Sequence, residues 1–207
     1  QRKQPRYISF RDLLRLLKDG ESVVVEAKVQ AKQFSSVVRN VVGELTGTEE
    51  PEKNVLLCAH TSGIKPGGNC AEGPGMVAEL ARALAELIDQ GTIDRPRRSI
   101  RFLICCEGAG TNNYLEENPS ALEEIITTLT YCSSGHRQCE TSSALLLYRS
   151  PDSVPSFVND YLNELIELSP KDANWIGKEG GKELPLVTFT DHYYTPWSDN
   201  TRFAAEG

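Results

Sequence analysis

Apolar residues follow two patterns along this chain, and the change from one to the other marks its organisation. Ser9 precedes Asp12, Leu13, Leu14 and Leu17, and the stretch closes on Lys18-Asp19-Gly20. A capping residue, apolar positions at helical spacing and a terminal glycine predict a short helix. From Val25 to Lys32 the residues alternate strictly: Val, Glu, Ala, Lys, Val, Gln, Ala, Lys. Period two with one polar face predicts an edge or antiparallel strand. Asn40–Leu45 predicts another strand, and Thr46–Lys53 a polar turn loop.

Beyond residue 53 the strands lose their polar face. Asn54-Val-Leu-Leu-Cys-Ala59 and Ser99-Ile-Arg-Phe-Leu-Ile-Cys-Cys106 are nearly continuous apolar runs, as central buried strands require. Between them Met76–Asp89 places Val77, Leu80, Ala81, Leu84 and Leu87 on one side of a helix that Gly91 stops. Strand, helix, strand predicts a βαβ unit with parallel strands and a right-handed crossover. Ser120-Ala-Leu-Glu123 has the spacing of a capping box, Ala144–Tyr148 reads as a strand, and a helix is expected near Ser153-Val-Pro155. Leu184–Phe189 closes the set as a strand. The fold class expected is α/β: a three-layer α/β/α sandwich around a mixed, mostly parallel sheet.

The chain has 207 residues, 39% hydrophobic and 25% charged, enough for one domain with its own core. Its 22 basic and 29 acidic residues give a net charge of −7. Arg95-Pro-Arg-Arg98 is the one basic knot, too short for a phosphate-binding stripe, so no nucleic-acid partner is expected. The apolar runs are too short to span a bilayer, so no membrane partner is expected. The Gln-Arg-Lys-Gln-Pro-Arg start lacks a signal peptide's apolar segment. Cysteines at 58, 70, 105, 106, 132 and 139 are irregularly spaced, and Cys58, Cys105 and Cys106 sit in strand runs as small hydrophobes. These features point to a reducing, cytoplasmic setting.

Ligands of open α/β sheets bind outside the carboxyl ends of the parallel strands. Three loops leave such ends: His60–Pro74, Glu107–Asn113 and Cys132–Thr141. Each opens on a residue that can hold a metal or move a proton. The first is long, glycine-rich and leads into a helix, but matches no nucleotide-binding fingerprint. There is no Gly-x-Ser-x-Gly elbow for a serine hydrolase. Cys70 or Cys132 as a nucleophile lacks an evident order of His and Asn partners. His136 reads as a solvated loop residue.

Taken in order, Asn40–Leu45, Val55-Leu-Leu-Cys-Ala-His60, the Pro-Gly-Gly-Asn loop, Val77–Leu84 and Arg98–Leu103 resemble the co-catalytic zinc aminopeptidases. That metallopeptidase group also holds glutaminyl cyclases and transferrin-receptor-type ectodomains. Glu107-Gly-Ala-Gly-Thr111 with Tyr114-Leu115 resembles its glutamate strand end, and Thr190-Asp-His-Tyr193 one branch's Ser-Asp-His-Tyr element. Ser198-Asp-Asn200 with Phe203 resembles a further loop motif, although a turn alone explains it. The resemblance implies two zinc ions sharing a water and polarising the scissile carbonyl of an N-terminal peptide bond. Residues 1–45 then form an N-terminal helix and antiparallel edge strands leading into a single domain, residues 1–207. The family's last His ligand falls beyond Gly207, so the chain is expected to lack the C-terminal end of the fold.

Carried over residue by residue, the first His ligand is His60. Glu107 matches one of a glutamate pair, as ligand or general base. The bridging Asp falls on Asn69, Cys70 or Ala71, and the second Asp at Cys132. Glu72 supplies a carboxylate only if the loop register shifts. Two anionic ligands are therefore lost, and the expected site is incomplete or altered. In one form His60, Cys70, Glu107 and Cys132 hold a single mixed zinc site, since thiolates suit zinc. Asp191, His192 and Tyr193 are the expected substrate-binding residues, for a peptide or an amino-acid-derived substrate. The function expected is that of a zinc-aminopeptidase-like hydrolase carrying one or two zinc ions. The alternative is a catalytically inactive binding or scaffolding module, with zinc possible but not required.

Overall fold

A computed structural model describes residues 10–20, 24, 28–61, 71–132, 145–168, 177–179, 182–184, 189–192 and 199–206. The chain divides into two compact units, Gln1–Ser36 and Val37–Gly207. In the first, helix α1 (Phe10–Lys18) forms as the leucine spacing predicts and ends at Gly20, whose φ of 76° suits glycine. Its expected cap, Ser9, lies outside the described residues. The alternating segment is a correction: residues 28–32 form no strand and are exposed, Val29 by 85%. Alternation selects a strand only where a neighbour takes up its backbone hydrogen bonds and something covers its apolar face. Among the described residues no strand pairs with it.

The second unit runs β1 (Val41–Leu45), β2 (Glu50–Thr61), α2 (Glu72–Asp89), β3 (Arg98–Cys106), α3 (Ala109–Glu117), α4 (Ala121–Glu124) and β4 (Ile125–Tyr131). Then follow β5 (Leu145–Tyr148), α5 (Phe157–Leu168), β6 (Gly177–Glu179), β7 (Lys182–Leu184), β8 (Phe189–His192) and α6 (Asn200–Glu206). The main sheet has the order β1-β3-β2-β4. Strand β2 is parallel to β3 and to β4, while β1 runs antiparallel to β3. This is the mixed, mostly parallel sheet of the expected α/β class. Two smaller sheets pair β5 with β8 in parallel and β6 with β7 antiparallel.

Helices cover both faces of the main sheet. On one, Leu57, Ala59 and Phe102 bury against Val77 of α2, with Leu80, Ala81 and Leu84 packed around them. On the other, Leu56, Cys58, Leu103 and Cys105 pack with Tyr114 and Leu115 of α3, Ala121 of α4 and Phe203 of α6. Burying each large apolar side chain contributes roughly 1.5–3 kcal/mol. Both strands are apolar on both faces because both faces are covered.

Several boundaries differ from expectation. Helix α2 starts at Glu72 rather than Met76, because Pro74 falls in the first turn, where no N–H donor is needed. Gly73 lets that turn sit on β4: a Cβ there would lie 2.4 Å from the Tyr131 carbonyl oxygen. The capping box is absent. Ser120 has helical φ and ψ, and its hydroxyl donates to Glu124 Oε1 at 2.7 Å. The β-branched run Ile125-Ile-Thr-Thr128 then converts the chain to strand after one turn. Glu107–Asn113 is a two-residue turn running directly into α3 rather than a loop. Strand β2 begins at Glu50, where Arg98 Nε donates to Glu50 Oε2 at 2.7 Å. Of the strand expected at Leu184–Phe189, only its two end residues are described, in β7 and β8.

Candidate metal centre

The side chains with chemical potential gather at the carboxyl ends of β2 and β4, on the face opposite α2. Parallel pairing sets His60 beside Cys105 and Thr61 beside Cys106. Strand periodicity then puts Cys58, His60 and Cys105 on one face. His60 is 2% exposed. A buried imidazole requires partners for both ring nitrogens, and it has them. Nδ1 lies 2.6 Å from Asp199 Oδ2, and Nε2 lies 3.7 Å from Cys132 Sγ.

Asp199 immediately precedes α6 and is itself buried. Its Oδ2 accepts from His60, and its Oδ1 accepts the Gly108 N–H at 3.0 Å. Gly108 has φ 64°, a left-handed conformation that glycine adopts without strain. It turns the chain from β3 into α3 within two residues and aims its N–H at the carboxylate. Three segments distant in sequence thereby meet through one aspartate.

The pair polarises the imidazole. Asp199 accepting from Nδ1, followed by the Cys132 contact, pushes the His60 pKa up to about 10 against the opposing cost of burial. The carboxylate thus favours the protonated ring, with Nδ1–H toward Asp199. Deeper on the same face Cys58 Sγ lies 4.0 Å from Cys105 Sγ. Contact with Cys105 and burial push the Cys58 thiol well up.

His60 and Cys132 are brought together as a ligand pair would be. Cys132 lies exposed just past β4. Glu107 lies exposed in the turn after β3, at the neighbouring strand tip, while the ring of His60 meets Asp199 and Cys132. Glu72 opens α2 rather than a loop. Asp191 and His192 lie on β8, where their backbones pair with Leu147 and Tyr148 of β5. Cys70, Asn69, Tyr193 and His136 lie outside the described residues. The residue whose importance the sequence concealed is Asp199. Its signal was the Ser198-Asp-Asn200 turn with Phe203 four residues beyond the aspartate, a short helix carrying one apolar anchor.

The geometry fits zinc. Bonds of ~2.1 Å to nitrogen and ~2.3 Å to sulfur at a tetrahedral angle span about 3.6 Å, against 3.7 Å between Nε2 and Sγ. A carboxylate on the far ring nitrogen is also the usual support of a zinc-bound histidine, fixing tautomer and orientation.

Similarity to known proteins bears on what such a site serves. No protein-family model matches the sequence. Over 85 residues, 41% of this chain, it is 32% identical to a "Glutamate carboxypeptidase 2 homolog" of Caenorhabditis briggsae; the match spans 11% of that protein. The fold resembles that of a Clostridium acetobutylicum protein provisionally classed as a peptidase, solved by crystallography. There the TM-score is 0.57 and the identity 19%, covering 80% of this chain and 32% of that one. The chain thus corresponds to about a third of its structural neighbour and shares its α/β fold.

Proposed function

We propose that this chain is the core of a peptidase-like hydrolase whose metal site is rebuilt around His60 and Cys132. The observation that carries the reading is the line Asp199–His60–Cys132, with a buried carboxylate at 2.6 Å behind Nδ1 and a thiol at 3.7 Å before Nε2. Cys70, on the glycine-rich loop, completes the proposed donor set, and Glu107, on the turn after β3, is kept for proton transfer. A bound zinc supplies Lewis acidity toward a carbonyl oxygen and toward water.

The chain's own residues supply the rest. Asp199 holds the imidazole in one tautomer and orientation, and Gly108 N–H holds Asp199. His60 Nε2 and Cys132 Sγ would each give up a proton to hold the metal, so affinity would rise with pH. Glu107, exposed to solvent, accepts the proton of the attacking water and returns it to the leaving amine. The proposed substrate is a peptide or amino-acid derivative with its amino end toward Asp191, His192 and Tyr193. Similarity to the carboxypeptidase homolog and to the peptidase-like fold supports the substrate class.

A silent binding module is the competing reading. It is favoured by Asn69, Cys70 and Ala71 standing where the co-catalytic family places its bridging aspartate. The two separate on one preparation, refolded with and without zinc. The hydrolase reading expects about one zinc at this site, turnover of an aminoacyl chromogenic amide, and loss of kcat in Glu107→Gln at unchanged zinc content. Zinc-loaded protein that turns over no aminoacyl or dipeptide substrate overturns it in favour of the silent module.

A further inference from the structure

The face that carries His60 holds a second set of metal-binding atoms behind the imidazole. Cys58 Sγ and Cys105 Sγ are 4.0 Å apart. The ligand atoms of Cys58, Cys105 and Asp199 all lie within 4.8 Å of one another, and all three residues are buried. They come from β2, from β3 and from the residue before α6, so the set joins three elements that are far apart in sequence. We propose that Cys58, Cys105 and Asp199 form a buried structural site for a thiophilic divalent cation, zinc first among them, distinct from the Nε2 side of His60.

Geometry and charge support the assignment. Two sulfurs on a tetrahedral zinc stand about 3.8 Å apart at bonds of ~2.3 Å, so the present spacing needs only a small inward rotation. Asp199 offers lone pairs on both oxygens, each of which accepts a single hydrogen bond from His60 or Gly108. On loading, each thiol forms a sulfur–metal bond and releases one proton to solvent. Two thiolates and a carboxylate against one dication leave a single negative charge. Thiophilic zinc, and cadmium still more, favours such donors over the oxygen-seeking magnesium and calcium. The competing account is that Cys58 and Cys105 are core filler, as small hydrophobes often are. It makes no use of the placement of both thiols within 4.8 Å of a carboxylate oxygen. Because the three residues are sealed from solvent, the cation enters as the chain folds.

The site does not depend on hydrolysis, and the test keeps the two apart. The full chain is unfolded, stripped with chelator, and refolded with cadmium alone. Cadmium is chosen because its thiolate charge-transfer band reports how many sulfurs are bound. The variant Cys70→Ser/Cys132→Ser/Cys139→Ser removes the other loop thiols and the proposed surface ligands. We expect that variant to bind one cadmium with a two-thiolate band, to resist chelator while folded, and to melt at higher temperature than its metal-free form. Adding Cys58→Val, which fills the space with an apolar group, should abolish the band while circular dichroism shows the fold kept. A triple variant that refolds without a two-thiolate band overturns the proposal, as does a band that survives Cys58→Val. If Cys58→Val fails to fold, the triple variant alone decides, since its band is either present or absent.

Discussion

The two faces of the main sheet are built from alternate residues of the same strands, yet they serve different ends. On the α2 face, Leu57, Ala59, Val77 and Phe102 form a cluster without a buried polar side chain among them. On the other face, successive positions of β2 pass from Leu56 through Cys58 to His60, becoming more polar toward the strand tip. The α2 face should tolerate apolar substitutions that keep its volume. The His60 face cannot, because its upper end is held by directional contacts: imidazole to carboxylate, carboxylate to backbone N–H, imidazole to sulfur. One sheet thus joins a non-specific anchor to a specific site, and the change takes four residues.

Breaking the directional face should have the largest effect. Asp199→Asn keeps the volume but removes the charge that holds His60, and loss of one partner from a buried ion pair costs about 3–5 kcal/mol. The pH dependence fixes the cause. The folded pKa of His60, about 10, lies above its unfolded value near 6.5. Protonation therefore contributes stability that is fully present below about pH 6.5 and is lost as pH rises through about 10. Urea unfolding of chelated protein at stepped pH should show this decline in the wild type and a flattened one in Asp199→Asn. An unchanged slope would assign the decline to some other group.

Breaking the α2 face should cost somewhat less and carry no pH signature. Leu57→Ala removes a buried leucine from the middle of β2 and should destabilise by about 3 kcal/mol through lost transfer energy and the cavity left behind. The slope of stability against pH between about 6.5 and 10 should match that of the wild type. If Leu57→Ala shifts that slope, the faces are not independent, and their separation by side-chain alternation fails.

The same contrast explains what could be read from the sequence. The α2 face was legible because apolar burial is written locally: a continuous run at Val55–Ala59 and helical spacing at Val77–Leu87 admit few alternatives. His60 was legible as the residue opening the loop after a buried strand, where α/β sheets place ligands; β2 itself runs one residue past it. Cys132 was legible through its likeness in position to a lost aspartate. Asp199 was not, since an aspartate before a short helix reads as a turn former, and only tertiary packing turns its carboxylate inward. The Val25–Lys32 alternation misled for the converse reason: its local period was right, but a strand needs a partner. Ser120 misled likewise, its capping pattern overridden by the β-branched run that follows.

The mildest change should sharpen the comparison further. Asp199 holds His60 from inside the protein, whereas Cys132 meets it from the exposed side, so the two contacts of one ring should separate in kind. Cys132 is exposed and serine nearly keeps its size, so Cys132→Ser should alter stability by no more than ~0.5 kcal/mol. Serine is a far poorer zinc ligand than a thiolate. The same substitution should therefore weaken zinc binding at the proposed His60 site at least about tenfold, read by competition with a chromogenic chelator. His60 should keep a pKa above its unfolded value, followed through its ring proton resonances, because Asp199 is the larger cause of the shift. If Cys132→Ser destabilises as much as Asp199→Asn, the thiol is part of the structural network. The division between an inner holding group and an outer ligand would then be wrong.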